Sequence, residues 1–297
     1  MNGFIILDKP SGPSSFQAAG FLRRVYNEKK AGHTGTLDPM AGGVLPVALG
    51  RATRLIEFLP EKNKAYRARL RFGLTTDTLD ITGKVLTQTD CAVTAGELCA
   101  VLPAFRGEIL QTPPMFSAVS VNGQRLYTLA RQGKEVERQR RAVTVYSLEL
   151  TGETPDGEFE LSVSCSAGTY IRTLIDDIGR KLGCGAVMTA LRRTAANGFI
   201  EAQAFTREAI EADPMAALLP ADAPFAAVPA VYVSSAQATR FQNGGALFTA
   251  RLQRVGDPGL YRVYAPDGRF LGLGGMEAHA PEELRVRRVY DNGENGE

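Results

Sequence analysis

Residues 65–72, AYRARLRF, alternate without a break, with Tyr66, Ala68, Leu70 and Phe72 on one side and Arg67, Arg69 and Arg71 on the other. A helix would scatter these two sets around its circumference, whereas a period of two collects them on opposite faces of a strand. The chain must therefore build a sheet that turns an aromatic-apolar face inward and a fully cationic face outward. Three arginines on one face repel one another, so acids or phosphates are expected opposite them.

Other segments suit such a sheet. Residues 143–150 (VTVYSLEL) and 158–165 (EFELSVSC) alternate on either side of the TGETPDG turn and predict a hairpin. The opening FIILDKPSG reads as a short apolar strand running into a turn, after which Ser14 or Ser15 caps a helix reaching Tyr26, with Phe21, Leu22 and Val25 at three-to-four spacing. In SAGTYIRTLIDDIGRKLG the period becomes helical, and Ile171, Leu174, Ile175, Ile178 and Leu182 form one stripe. Arg172 sits just off it in the first turn, placed to reach what the strand-to-helix junction frames or to pair with Asp176 four residues on. Hairpin strands alternating with a few helices predict an α+β domain with a largely antiparallel sheet. Alanine, proline and acids crowd 201–230 and mark a boundary near 225–230; short strands around NG, GDPG and PDG turns then predict a small all-β module. The expected organisation is 1–228, 229–291 and a frayed acidic tail at 292–297.

No run of eighteen apolar residues occurs and an acid already stands at Asp8, so neither a membrane span nor a secretory signal is expected and the protein reads as cytoplasmic. Cys91, Cys99, Cys165 and Cys184 form no CxxC pair and the only histidines are His33 and His279, so no zinc or other metal site is expected. Residues 1–200 carry 25 Lys/Arg against 19 Asp/Glu and 201–297 carry 9 against 13, a balance of +6 followed by −4. That asymmetry suits a polyanion meeting the first part of the chain, where 125–141 (RLYTLARQGKEVERQRR) forms a second basic region.

Residues 32–54, GHTGTLDPMAGGVLPVALGRATR, hold one carboxylate, Asp38, between a glycine-threonine turn and a proline-led apolar run. The string has neither GK[ST] nor GxGxxG, so no nucleotide cofactor is expected. A loop specified this tightly positions something, and Thr34 and Thr36 are available as side-chain partners for Asp38. A lone carboxylate can act as nucleophile, general base or stabiliser of an oxocarbenium-like centre. Each role needs it ionised in a partly desolvated site, hence beside a cation. Arg172 is the candidate, because a guanidinium holds both carboxylate oxygens. Tyr66 either fills the core or reaches a pocket, where its ring would stack on a base and its hydroxyl move a proton. A hydrolase would need a second carboxylate across the cleft, for which Asp77 and Asp80 are the candidates. A purely RNA-binding protein would need neither Asp38 nor Arg172.

Four blocks in order, GHTGTLDPMAGGVLPVALGRATR, KAYRARLRFG with TTDTLDITG, TPPMFSAVSVNGQRLYTLARQGKEVERQRR, and SCSAGTYIRTLIDDIGRKLGCGAVMTALRR, resemble the TruB-type bacterial tRNA pseudouridine synthases, which modify the T-loop uridine at position 55. With FIILDKPSG the resemblance covers almost all of residues 3–194. It implies a pseudouridine synthase fold, with a central mixed, largely antiparallel sheet flanked by helices, and a small C-terminal PUA-like β-barrel. It also implies a monomer without cofactor that flips a base out of the tRNA T stem-loop, assists tRNA folding, and reaches the acceptor-stem end with its C-terminal module. By the resemblance Asp38 is the catalytic aspartate, Tyr66 the tyrosine that stacks on the flipped base, and Arg172 the arginine that pairs with the aspartate. Leu191 closes the pocket below the base, His33 fills the space of an extruded base, and Lys9 and Pro10 form a KP motif that supports the pocket. Arg67, Arg69, Arg131 and Arg141 are then expected on T-arm phosphates. The chain departs from the family in Ala41-Gly42-Gly43, where ATG is common, and in Ser117-Ala118-Val119-Ser120, where SALK is; neither change touches Asp38, Tyr66 or Arg172.

Overall fold

The computed structural model describes residues 1–121, 123–253 and 255–291. The tail expected at 292–297 lies outside them. A nine-stranded sheet organises the first part, its main path running Gly3–Lys9, Gly42–Leu49, Ala186–Ala196, Lys64–Phe72, Phe159–Cys165, Arg141–Glu153 and Gly107–Gln111. Ala31–His33 adds to Gly42–Leu49, and Phe199–Ile200 to Ala186–Ala196. Every pairing is antiparallel except that of Ala186–Ala196 with Gly42–Leu49, which is parallel through Arg192 and Arg193. The sheet is thus mixed and largely antiparallel, and the predicted 143–150 and 158–165 hairpin forms within it.

The alternation of Lys64–Phe72 decides which face is core. Tyr66, Ala68 and Leu70 are buried while Arg67, Arg69 and Arg71 are exposed. The helix Ile171–Lys181 packs on the buried face through Ile171, Leu174, Ile175 and Ile178, in one apolar cluster with Tyr66, Ala68 and Leu70. Eleven residues are too few for a stable isolated helix. Burial, at about 1.5–3 kcal/mol for each aliphatic side chain as an upper estimate, is therefore what holds it. On the outer face acids meet the arginines: Arg69 lies 3.2 Å from Glu160, Arg71 2.8 Å from Glu158, and Arg67 3.9 Å from Glu160 and 3.7 Å from Glu201. Of the two partners expected for that face, the fold itself supplies acids.

Two adjacent serines divide their work at the start of the helix Ser15–Val25. Ser14 is the N-cap, in a capping box with Gln17. Ser15 is buried and clamps the backbone of Leu37, accepting from its N–H at 2.8 Å and donating to its carbonyl at 3.0 Å. The helix start thereby fixes the residue that precedes Asp38.

The C-terminal strands form a separate five-stranded sheet in the order Ala230–Tyr232, Gly259–Tyr264, Phe270–Glu277, Ala280–Val289, Leu247–Phe248. Its two end strands do not pair with each other, so the expected barrel is a curled, open half-barrel around Val231, Phe241, Val263, Leu271 and Leu284. Phe225, Val228 and Leu273 join Phe4, Ala48 and Leu55 in one apolar cluster, which seats this sheet against the outer strands of the first. Among the described residues no helix is long and apolar enough to cross a membrane.

Candidate active site

Asp38 heads a turn between Ala31–His33 and Gly42–Leu49, closed by the N–H of Ala41 on the Asp38 carbonyl at 3.0 Å. The KPSG segment grips this turn from below. Lys9 is fully buried, and its Nζ donates to the carbonyls of Pro10 (3.0 Å), Asp38 (3.3 Å), Pro39 (3.3 Å) and Ala41 (2.5 Å). Ser11 Oγ donates to the Met40 carbonyl and the N–H of Gly12 to that of Pro39. Burial brings the Lys9 pKa down to about 8, Asp38 opposing and Arg193 adding. Pro10 is itself exposed and contributes its carbonyl. Just after the turn Gly43 has φ +99°, and a Cβ there would stand 2.2 Å from the Arg193 carbonyl, so only glycine fits.

Arg172 reaches Asp38 from the first turn of its helix. Nε lies 2.9 Å from Oδ2 and Nη2 donates to Oδ1 at 3.2 Å, while Nη1 donates to the Thr78 carbonyl at 2.8 Å and Nη2 to the Phe116 carbonyl at 2.9 Å. The alternative pairing with Asp176 does not occur, because Asp176 bonds Arg180 at 2.8 Å. Thr34 does not serve Asp38 either; its hydroxyl donates to Asn197. Behind the guanidinium lies Asp80, 5% exposed, with Oδ2 3.6 Å from Nη1. Its other oxygen accepts from Thr78 Oγ1 and from the N–H and Oγ1 of Thr82.

The cleft above these groups is lined by Thr36, Asp38, Lys64, Tyr66, Tyr170 and Leu191 among others, and Asp38 is the sole carboxylate among its described lining residues. Asp80 is near Asp38 but on the far side of Arg172 rather than across a sugar-sized space, which removes the geometry a hydrolase needs. Burial pushes the Asp38 carboxyl above the ordinary aspartate range; Asp80 adds to this, and Arg172 and Lys9 oppose it. Tyr66, 7% exposed, stands in register with Arg193 on the neighbouring strand, close enough for that guanidinium to act on its phenol. Burial raises its pKa to about 12, with Arg193 opposing, so at neutral pH it is a phenol. Arg193 is fully buried and also donates to the carbonyls of Val44, Thr36 and Gly35. Gln111 clamps the other rim, accepting from the N–H of Tyr170 at 3.0 Å and donating to its carbonyl at 3.2 Å.

The structure therefore brings Asp38, Tyr66, Arg172 and Leu191 to one cleft, with Lys9 and Pro10 beneath its turn. His33 ends its strand beside them, half-buried; its buried Nδ1 has no hydrogen-bond partner among the described residues, and burial, then Arg193 and Lys64, hold its pKa down. Arg131 and Arg141 are exposed, Arg131 over the Tyr127 ring at 5.7 Å. Arg67 and Arg69 lie on the sheet face opposite Tyr66, occupied by acids. Sequence reasoning missed Asp80 as a support, Arg193 behind the phenol, and Lys64 in the cleft. Period two held the signal for the last two, since Arg193 is two residues from Leu191 and Lys64 two from Tyr66.

The chain is similar to known proteins over most of its length. Residues 23–171 match the family model described as TruB family pseudouridylate synthase (N terminal domain), residues 172–223 that of the tRNA pseudouridylate synthase B C-terminal domain, and residues 229–290 that of pseudouridine synthase II TruB, C-terminal. The chain is 44% identical to the tRNA pseudouridine synthase B of Methylobacillus flagellatus over 92% of its length and 91% of that protein's. To the protein of the same name from Azoarcus sp. it is 46% identical, covering 97% and 95%. Among solved structures it is similar to a chain of a Cbf5-Nop10-Gar1 complex (TM-score 0.74, 27% identity, 97% of this chain and 85% of that one). It is also similar to a chain of an H/ACA RNP bound to a substrate RNA containing 2′-deoxyuridine (TM-score 0.73, 26% identity, 97% and 85%).

Proposed function

The chain belongs to the TruB family of pseudouridine synthases, and we propose that it isomerises uridine to pseudouridine at position 55 in the T loop of tRNA. The observation that carries this reading is a single cleft carboxylate held by both oxygens on Arg172, facing Tyr66 and Leu191. The isomerisation breaks N1–C1′, turns the uracil and joins C5 to C1′. C5 gives up a proton and N1 gains one, so the product keeps every atom. No water is activated, and a second cleft acid has no task. Asp38 acts on the sugar, by adding to C1′ or by stabilising it after proton loss from C2′, and both routes require the ionised form that Arg172 favours.

C1′ can be reached only after the nucleotide leaves its stack, which costs a few kcal/mol and less in a loop than in a duplex. Tyr66 stacks on the base and passes the proton, with the Arg193 guanidinium beside it; Leu191 closes the floor, and His33 occupies the space left in the loop. Lys9 and Pro10 hold the turn that carries Asp38. Arg131 and Arg141 grip T-arm phosphates, whereas Arg67 and Arg69, already met by acids, add little. Residues 1–228 form the catalytic unit and 229–291 the RNA-binding unit that meets the acceptor-stem end. The protein works as a cytoplasmic monomer without cofactor or metal and assists tRNA folding.

The test is to incubate unmodified tRNA with purified protein in EDTA and map pseudouridine by mass spectrometry and carbodiimide modification. Pseudouridine at the T-loop site is expected; tRNA recovered unchanged, or modified elsewhere, would overturn the reading.

A further inference from the structure

Lys64 lines the cleft two residues before Tyr66, on the same strand and therefore the same face. Its ammonium lies against Gly35, where a Cβ would stand 2.9 Å from Nζ and 3.8 Å from Arg193 Nη1, so a side chain at 35 would push the lysine tip aside. An ammonium carries three donors. Lys9, the other lysine held inside the fold, spends its donors on four carbonyls. Among the described residues Lys64 Nζ has no hydrogen-bond acceptor and no acid. Its neighbours are the Arg193 guanidinium, which after burial holds the Lys64 pKa down, His33, whose pKa Lys64 in turn depresses, and the Cys165 thiol in register on the next strand, which opposes the shift and is itself protonated because burial pushes it up to about 11.

A half-buried cation flanked by Arg193 and His33, with no acceptor among the described residues, is arranged for an anion that comes from outside. Asp38 does not fill that need, its carboxylate being held by both oxygens on Arg172. Resting on the reading that an RNA uridine enters this cleft, the anion that substrate brings is its phosphodiester, since the uracil oxygens are neutral. We propose that Lys64 binds a phosphodiester oxygen flanking the extruded uridine and so fixes the nucleotide backbone with C1′ over Asp38. Lys64 is then a positioning residue, and the buried Nδ1 of His33, also without a partner, stands beside the same phosphate.

The experiment pairs protein variants with chemically altered RNA. Wild type, Lys64→Met and Lys64→Arg are measured on a T-arm minihelix, unmodified or with a neutral methylphosphonate replacing the phosphate 5′ or 3′ of the target uridine. Affinities are taken in the Asp38→Asn background against salt, and single-turnover rates with Asp38 present. Lys64→Met should weaken binding by about tenfold and lower the salt slope by about 1, with Lys64→Arg restoring most of both. On one of the two methylphosphonate RNAs the wild type should fall to the level of Lys64→Met, and the variant should lose nothing more. Losses that multiply on both RNAs, or a Lys64→Met variant that binds as tightly as the parent, would overturn the proposal. So would a loss abolished by removing the uracil O4 instead, which would mark a base contact. Thermal melts separate misfolding from the loss of a contact, and Lys64→Gln replaces Lys64→Met if the latter melts early. Wild-type protein that binds the minihelix but makes no pseudouridine counts against the enzymatic reading alone, because the affinity arm stands without turnover.

Discussion

Arg172 holds Asp38 by both carboxylate oxygens, through Nε at 2.9 Å and Nη2 at 3.2 Å. The same guanidinium spends its remaining donors on two carbonyls and Asp80. A lysine ammonium cannot reproduce that fork. Arg172→Lys should therefore keep a charge near Asp38 but lose its orientation, cutting the single-turnover rate by about 10²-fold, while tRNA affinity stays within about threefold. Asp38→Asn should bind tRNA almost as well as the parent and turn over none. An asparagine variant reacting within about tenfold of the wild-type rate would sink the assignment of Asp38.

Asp80 faces Arg172 from behind, and Thr78 and Thr82 satisfy its other oxygen. Removing its charge leaves a buried guanidinium less well compensated, a loss of about 1–3 kcal/mol in stability, visible as an earlier thermal midpoint. Its charge also helps to raise the Asp38 pKa. Asp80→Asn should accordingly move the acid limb of the rate profile to lower pH even as it lowers the maximum rate. An acid limb that stayed in place, or moved up, would show that Asp80 does not act on Asp38.

Gly43 sits at φ +99°, with the Arg193 backbone where a Cβ would be. Gly43→Ala should destabilise by more than ~1 kcal/mol, because the strand carrying Arg193 must shift to accept it. The shift acts on Tyr66 and Asp38 together, since Arg193 stands in register with Tyr66 and bonds the carbonyls of Gly35 and Thr36. Denaturant midpoints and single-turnover rates should fall together; an alanine variant as stable as the parent would contradict the close approach.

What could be read without a structure was whatever repeats locally. The two faces of Lys64–Phe72 follow from period two, and the off-stripe position of Arg172 from period 3.6. The choice between Asp176 and Asp38 as its partner was not legible, because it compares a contact four residues away with one across 134 residues. Register hid a second fact: Arg69 stands directly opposite Glu160, so the cationic face is neutralised within the sheet. The half-barrel belongs to the same class, since closure depends on whether two distant edge strands meet. Lys64 was legible in principle, at an even spacing from Tyr66, but spacing gives only the face and not the lack of an acceptor.

Opposite responses of activity and stability to alkali should follow from Lys9. Its pKa is near 8 in the folded protein against 10.5 ordinarily, because burial disfavours the charge. Between those values the unfolded chain holds the extra proton, so the contribution of this group to stability rises with pH across roughly pH 8 to 10.5. Catalysis should move the other way. Deprotonation removes one of three donors from four carbonyls, three of which belong to the turn bearing Asp38, so the rate should decline above about pH 8. At the acid end the rate should fall as Asp38 protonates, at a pH above the ordinary aspartate value because its pKa is raised. The rate profile is thus a bell, while the wild-type denaturant midpoint gains on that of Lys9→Met as the pH climbs. Lys9→Met should lose the alkaline limb and carry the acid one to higher pH, because the Lys9 charge helps to hold the Asp38 pKa down. A Lys9→Met profile with the wild-type alkaline limb would mean that another group sets it and that Lys9 only fills space beneath the turn.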